Sequence, residues 1–199
     1  MAQRQHRPGA HDLELAALCV AGDRLAFGEL VRRHGSAVRA LMRRMGADAT
    51  MADDLAQDAF LAAFEQIAEF RGEGPFRAWV SRIAARIYVR RWRRERRSAL
   101  SIEEAATGDI ETGGGGLAAD ARLDLDEAMK SLSETERLCV SLCYCAGFSH
   151  AEAAAALNAP LGTVKSHVKR GLDKLRRRLA SPEGDGGPNG QGWERRVHG

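Results

Sequence analysis

Apolar residues recur at helical spacing along most of the chain, and no stretch shows the strict alternation of a strand. In "DDLAQDAFLAAFEQIAEF", Asp53 to Phe70, a core-facing set comprises Leu55, Ala59, Ala62, Phe64 and Ile67. From Pro75 to Arg97 an apolar stripe runs through Phe76, Val80, Ile83 and Ile87. Near the C-terminus Val164, Val168, Leu172, Leu175 and Leu179 form a third stripe. Stripes of this period are the buried faces of amphipathic helices, so the pattern predicts an all-α fold. Helix starts are marked as well. Thr50 to Asp53, Ser133 to Glu136 and Ser149 to Glu152 each place a hydroxyl three residues before a carboxylate. The two serine segments are full capping boxes, in which the Ser oxygen accepts an orphan amide hydrogen and the Glu reaches back to the cap amide.

Composition divides the chain. Residues 1–10 and 181–199 are too polar and, in the tail, too glycine-rich to bury anything, and are expected to be disordered. Residues 11–97 read as a first helical domain, 98–118 as a flexible acidic linker and 119–180 as a second, smaller helical domain. No internal repeat is evident.

The net charge of +3 says little, but its distribution says more. Residues 76–97 hold nine Arg and one Glu, residues 98–127 eight acidic residues and one Arg, and residues 162–179 seven basic residues and one Asp. Clustered charge of alternating sign marks interaction surfaces. No apolar run approaches the length of a membrane span. The N-terminus "MAQRQHRPGAHDLE" lacks the apolar core of a secretory signal. A cytoplasmic protein without membrane insertion is expected, with Cys19, Cys139, Cys143 and Cys145 as thiols.

Ser149 to Leu179 has the makings of a helix-turn-helix. A short alanine-rich helix, Ser149 to Leu157, supplies small contact residues at Ala153 and Ala154. Asn158 suits the tight turn because it tolerates a left-handed backbone. A basic helix follows from about Thr163. Its Lys165, Ser166, Lys169 and Arg170 lie off the apolar stripe, near the end that enters the major groove in such motifs. The competing reading is an alanine-rich bundle with a solvated basic face. The three features together favour DNA binding.

In the first domain Trp79, Tyr88 and Trp92 lie among arginines that include Arg82, Arg86, Arg93 and Arg97. Guanidinium groups pair with phosphates and aromatic rings stack on unpaired bases. Trp79 equally fits a core position. Asp53, Asp54, Gln57 and Asp58 make an acidic first turn. They suit the positive end of a helix dipole, or a docking face for a basic partner, and spacing alone does not choose.

With these segments in place the chain resembles the sigma-70 family, in its small two-domain group of extracytoplasmic-function sigma factors. The resemblance rests on "AFGELVRRH" (Ala26–His34), "DDLAQDAFLAAF" (Asp53–Phe64), "FRGEGPFRAWVSRIA" (Phe70–Ala84) and "LSETERLCVSLCYCAGFSHAEAAAALNAPLGTVKSHVKRGLDKLR" (Leu132–Arg176), and covers about residues 12–180. It implies a dissociable subunit of RNA polymerase that directs core enzyme to promoters and helps open DNA. Asp53, Asp54, Leu55, Gln57, Asp58 and Phe60 would meet the β′ clamp helices, and the second domain the β flap. Arg71, Gly72, Glu73, Arg77, Trp79, Arg82, Arg86, Arg90 and Arg93 would read the −10 element, held as single strand with a flipped base. Thr163, Lys165, Ser166, His167, Lys169 and Arg170 would read the −35 element as duplex. An anti-sigma factor is the implied regulator. The acidic linker would thread the polymerase channel in place of RNA.

Three positions depart from the family pattern: Asn158 for its usual Gly, Ala146 for a frequent Glu, and His167 for a frequent Arg. The cysteines cluster at Cys139, Cys143 and Cys145, with His150 nearby. They lack the C-x₂-C pairing of structural zinc sites and are read chiefly as core, with a redox or metal sensor as the alternative. No metal or cofactor is expected, and no P-loop or nucleophile motif supports an enzyme. The competing function is a self-sufficient repressor or activator, which would bind duplex without polymerase.

Overall fold

The computed structural model of the protein describes residues 11–102 and 120–180. Eight α-helices follow one another among them: α1 Asp12–Val20, α2 Arg24–Met45, α3 Ala49–Glu65, α4 Phe76–Ile102, α5 Asp120–Lys130, α6 Glu134–Val140, α7 His150–Leu157 and α8 Leu161–Ala180. A 3₁₀ turn, Ile67–Glu69, follows α3, and a π-helical turn, Ser141–Cys145, continues α6. No strand occurs among the described residues, in line with the all-α expectation. The segments read as disordered ends and most of the linker lie outside the described residues.

Local chemistry explains most boundaries. Ser133 and Ser149 cap α6 and α7 in reciprocal boxes with Glu136 and Glu152. The start of α3 differs from the expectation. Asp48, not Thr50, is its cap and accepts from the Met51 amide at 2.8 Å, because a carboxylate two residues earlier reaches the orphan amides first. Asn158 takes the left-handed conformation, φ 53 and ψ 48. The Ala159 amide then donates back to the Ala154 carbonyl at 3.0 Å, closing α7. The basic helix begins at Leu161, two residues before the expected Thr163, with Pro160 just outside it. Helix α4 runs through Ile102, past the domain boundary placed at residue 97.

Helices α2, α3 and α4 pack on one another, with α1 across α2. Leu30, Val38, Met42, Leu55, Phe76 and Val80 fill their centre. Phe70 and Phe76 meet edge to face at 5.3 Å, and Trp79 leans on both at 5.5 Å. Trp79 is therefore a half-buried packing residue. Tyr88, which in sequence is one of the aromatics among the arginines, is buried, and its hydroxyl donates to the Met45 carbonyl at 2.8 Å. Burial pushes its pKa up to about 12.

The second half is built on α6 and α8, with α5 and α7 against them. Val164, Val168 and Leu175 are buried as the stripe predicts, but Leu179 is half exposed. Ala153 and Ala154 are buried at the helix crossing. The two halves do not stand apart. One continuous apolar cluster includes Leu41, Met45, Ala85 and Val89 from the first and Leu138, Leu142, Phe148 and Leu157 from the second.

Candidate functional site

Three surfaces carry the residues singled out by the sequence. On α3, Asp53, Asp54, Gln57 and Asp58 are exposed along one side. Asp53 makes a loose pair with Arg39 at 3.6 Å. Leu55 and Phe60, expected on the same docking face, turn inward and are 2% and 7% exposed. The helical period turns Leu55 away from the carboxylates, whereas Phe60, three residues after Gln57 and seven after Asp53, lies at the edge of their side and is buried by packing that includes Phe27. Their neighbours Leu61 and Phe64 are the exposed apolar residues of this helix, at 57% and 37%, and Phe64 meets Phe27 edge-on at 4.9 Å.

The second surface is the loop before α4 and the helix itself. Arg71, Gly72, Glu73, Arg77, Arg86 and Arg90 are exposed. Gly72 has φ +74, and a Cβ there would come within 2.9 Å of Leu13 Cδ1. The loop thus lies against the first turn of α1, and only glycine meets both demands easily. Between them opens a cleft lined by His11, Asp12, Arg33, Phe70, Gly72, Pro75 and Phe76, among others. Its polar edge is ordered. Asp12 accepts from Arg33 at 3.1 Å and lies 2.8 Å from His34 Nε2, and Arg33 is also held by buried Glu29 at 2.7 Å. Asp12 and Arg33 are not legible as a pair in the sequence because they are 21 residues apart, and no local pattern joins them.

Farther along α4 the arginines divide. Arg82, Trp92 and Arg93 are half-buried against the second half, whereas Arg86 and Arg90 face outward. Arg82 donates to the Gly147 carbonyl at 2.7 Å and pairs with Glu152. Glu152 is held down to a pKa of about 2 by the Ser149 amide and hydroxyl, and then by Arg82.

The third surface is the exposed side of α8. Thr163, Lys165, Ser166, Lys169 and Arg170 are exposed, with Val164 and Val168 buried beneath them. His167 is half-buried. Burial and the neighbouring Arg170 charge both lower its pKa, which favours the neutral ring. Arg170 Nη2 lies 3.1 Å from His167 Nδ1. Lys174 donates to buried Glu136 at 2.7 Å. Helix α8 is thereby tied to the cap of α6, while Lys165 and Lys169 stay exposed.

Cys139 is buried, Cys143 half-buried and Cys145 exposed. Burial, then Cys143, pushes the Cys139 thiol up to about 11, the opposite of activation. No group of three or more His, Cys, Asp or Glu side chains suited to a metal ion occurs among the described residues. None of their helices is long and apolar enough to cross a membrane.

Comparison with known proteins identifies the family. The family profile "Sigma-70 region 2" matches residues 30–98, and "Sigma-70, region 4" matches residues 122–175. The RNA polymerase sigma factor NccH of Alcaligenes xylosoxydans xylosoxydans is 35% identical, over 86% of this chain and 96% of its own. CnrH of Cupriavidus metallidurans is also 35% identical, over 84% and 94%. The ECF sigma factor SigE of Mycolicibacterium smegmatis is 34% identical, over 83% and 67%. The solved structure of CnrH in complex with the cytosolic domain of CnrY shares 31% identity over 85% of this chain and 97% of that one, with a TM-score of 0.50. The sigma factor RpoE from Bartonella quintana, solved with the anti-sigma factor NepR, is alike in fold, with a TM-score of 0.53, 23% identity and coverage of 78% and 98%. Sigma factors are transcription initiation factors, not enzymes. The protein belongs to the sigma-70 family and is a sigma factor of the extracytoplasmic-function type.

Proposed function

We propose that the three surfaces divide the work of promoter-directed initiation. Asp53, Asp54, Gln57 and Asp58 dock on the β′ clamp helices of core RNA polymerase, and Leu55 and Phe60 support that face from the core. Residues 11–97 form the unit that handles the −10 element. Arg71, Gly72, Glu73, Arg77, Arg86 and Arg90 meet it directly, with Arg82 and Arg93 completing the track and Trp79 packing beneath it. The cleft between Gly72 and Asp12 receives an extruded base. Residues 119–180 form the second unit, which contacts the β flap and reads the −35 element as duplex. Thr163, Lys165, Ser166, Lys169 and Arg170 carry that reading, with His167 contributing as a neutral donor or acceptor. A protein with this role works in the cytoplasm, where polymerase and promoter DNA are. An anti-sigma factor is the natural regulator, since two relatives were solved with partners named CnrY and NepR.

The observation that carries this reading is the pairing of α7 and α8. A left-handed Asn158 turns the chain between a small-residue helix and a helix that is apolar beneath and basic outside. That is the geometry of a major-groove reader. Run-off transcription with purified core polymerase on a library of random promoters tests it. New defined starts, sharing sequence at two separated upstream positions, are expected. No new starts, combined with specific duplex binding by the protein alone, would replace this reading with that of a self-sufficient regulator.

A further inference from the structure

The two ring nitrogens of His167 on α8 are not equivalent. Arg170 Nη2 lies 3.1 Å from His167 Nδ1. A guanidinium has donors only and keeps its proton in proteins, so Nδ1 is the acceptor of this bond. A neutral imidazole then carries its one proton on the other nitrogen. His167 Nε2 is therefore an N–H donor, and no described residue accepts from it.

Arg170 is itself held from α6. Its Nε lies 3.9 Å from Glu136 Oε1. The other oxygen of that carboxylate accepts from the Ser133 amide at 3.1 Å and from Lys174 at 2.7 Å. Glu136 is buried, so its position is set by the cap and the packing of α6. Anion, cation and ring thus follow one another from α6 to the outer side of α8, and the first two fix the polarity of the third. Burial and the Arg170 charge favour the neutral ring, against the opposing charge of Glu136. His167 lies near the start of α8, between exposed Ser166 and Lys165 on one side and exposed Lys169 on the other. Residues near the start of such a helix are the ones that meet base edges.

In the major groove guanine presents acceptors at O6 and N7, adenine at N7 and thymine at O4, whereas cytosine presents only its N4 amino donor. A fixed N–H facing that amino group leaves two donors without a partner. We infer that His167 is a specificity-determining residue of the −35 reader, whose Nε2–H, held in place by Glu136 and Arg170, rejects cytosine at one position of the strand it meets. This rests on the assignment of α8 to the −35 element made above. Arg170 acts here through His167, as a positioning residue, whether or not its charge also meets a phosphate. With the proton on Nδ1 instead, Nε2 would accept from cytosine N4, so the tautomer decides the reading.

Selection tests the inference with the full-length protein bound to core RNA polymerase, on promoter DNA randomised across the −35 region. Wild type is expected to deplete cytosine at one position roughly threefold to tenfold, as one lost hydrogen bond allows. His167→Ala should abolish that depletion and leave the other preferences in place. Arg170→Met should weaken binding throughout, free the ring to adopt both tautomers and restore cytosine at the same position. Nitrogen-15 spectra of the histidine rings in the full-length protein read the tautomer directly. Protonated Nε2 with bare Nδ1 is expected in wild type, and a mixture in Arg170→Met. Depletion that persists in His167→Ala or in Arg170→Met, or a wild-type ring protonated on Nδ1, overturns the inference. So does a wild type that selects a −35 sequence without depleting cytosine at any position, which leaves the −35 assignment standing. A wild type that selects no −35 sequence at all overturns that assignment, and the inference with it.

Discussion

Gly171 of α8 lies against Val140 of α6 so closely that a Cβ there would come within 2.7 Å of Val140 Cγ2. The main packing contact of the second half, α6 with α8, closes over a glycine because no side chain fits. Valine is stiff at χ1 and yields little. Gly171→Ala is therefore expected to destabilise the protein by about 1–3 kcal/mol through overpacking, despite the higher helix propensity of alanine. Urea unfolding measures it. An unchanged or higher midpoint would show that the helices shift apart freely.

Tyr88 joins the end of α2 to α4 through its bond to the Met45 carbonyl. Tyr88→Phe keeps the ring and removes the donor, leaving that buried carbonyl short of a partner. A loss of about 1–2 kcal/mol is expected, with single-strand binding unaffected. A variant as stable as wild type that lost nucleic-acid binding would return Tyr88 to the reading surface.

The division of α3 into two sides separates stability from docking. Leu55→Ala is expected to cost about 2–5 kcal/mol of stability, as for any buried leucine. Asp54→Arg is expected to leave stability within about 0.5 kcal/mol and to weaken binding to core polymerase roughly tenfold by reversing a charge at the contact. Thermal unfolding and a pull-down titration with core enzyme distinguish them. An Asp54→Arg protein that binds normally would move the docking face elsewhere.

Burial and Arg170 lower the pKa of His167 and favour its neutral form. His167→Arg adds a permanent cation on the exposed side of α8. Duplex affinity should then fall more steeply with salt, the log–log slope growing by about 1. A slope identical to wild type would place residue 167 away from the phosphates.

Acid should loosen both caps of the second half. Burial raises Glu136, but Lys174 and Ser133 outweigh it and hold its pKa below the ordinary 4.5. Glu152 is held at about 2. Carboxylates whose pKa is depressed by folding stabilise the fold fully above the unfolded value and lose that contribution as pH falls. Urea midpoints should therefore decline from about pH 4.5 towards about pH 2, and Glu152→Gln should flatten that decline. A parallel decline in the variant would assign the acid sensitivity to other groups.

What the sequence determined by itself is whatever is written in neighbouring residues. Helical period, the Ser133 and Ser149 caps, the left-handed Asn158 and the basic outer face of α8 all depend on short spacings along the chain. Each is legible in the residues alone. Thr50 is a false cap because Asp48 competes for the same amides, and only the geometry of the first turn decides between two nearby caps. Leu55 and Phe60 are buried beside the exposed carboxylates because the family segment names a stretch, while the packing of the helix decides which of its residues the core takes.

Tertiary structure alone decided the contacts between distant residues. Asp12 meets Arg33 and His34, Trp92 meets Glu134, and Arg82 meets Glu152, pairs separated by 21 to 70 residues. No periodicity encodes such pairs, because they arise from how preformed helices pack. The largest consequence is that two units legible as separate share one core. Sequence shows which faces are apolar and basic. Which face covers which is set by the packing of whole helices, where burial of apolar area is non-directional and shape makes the choice.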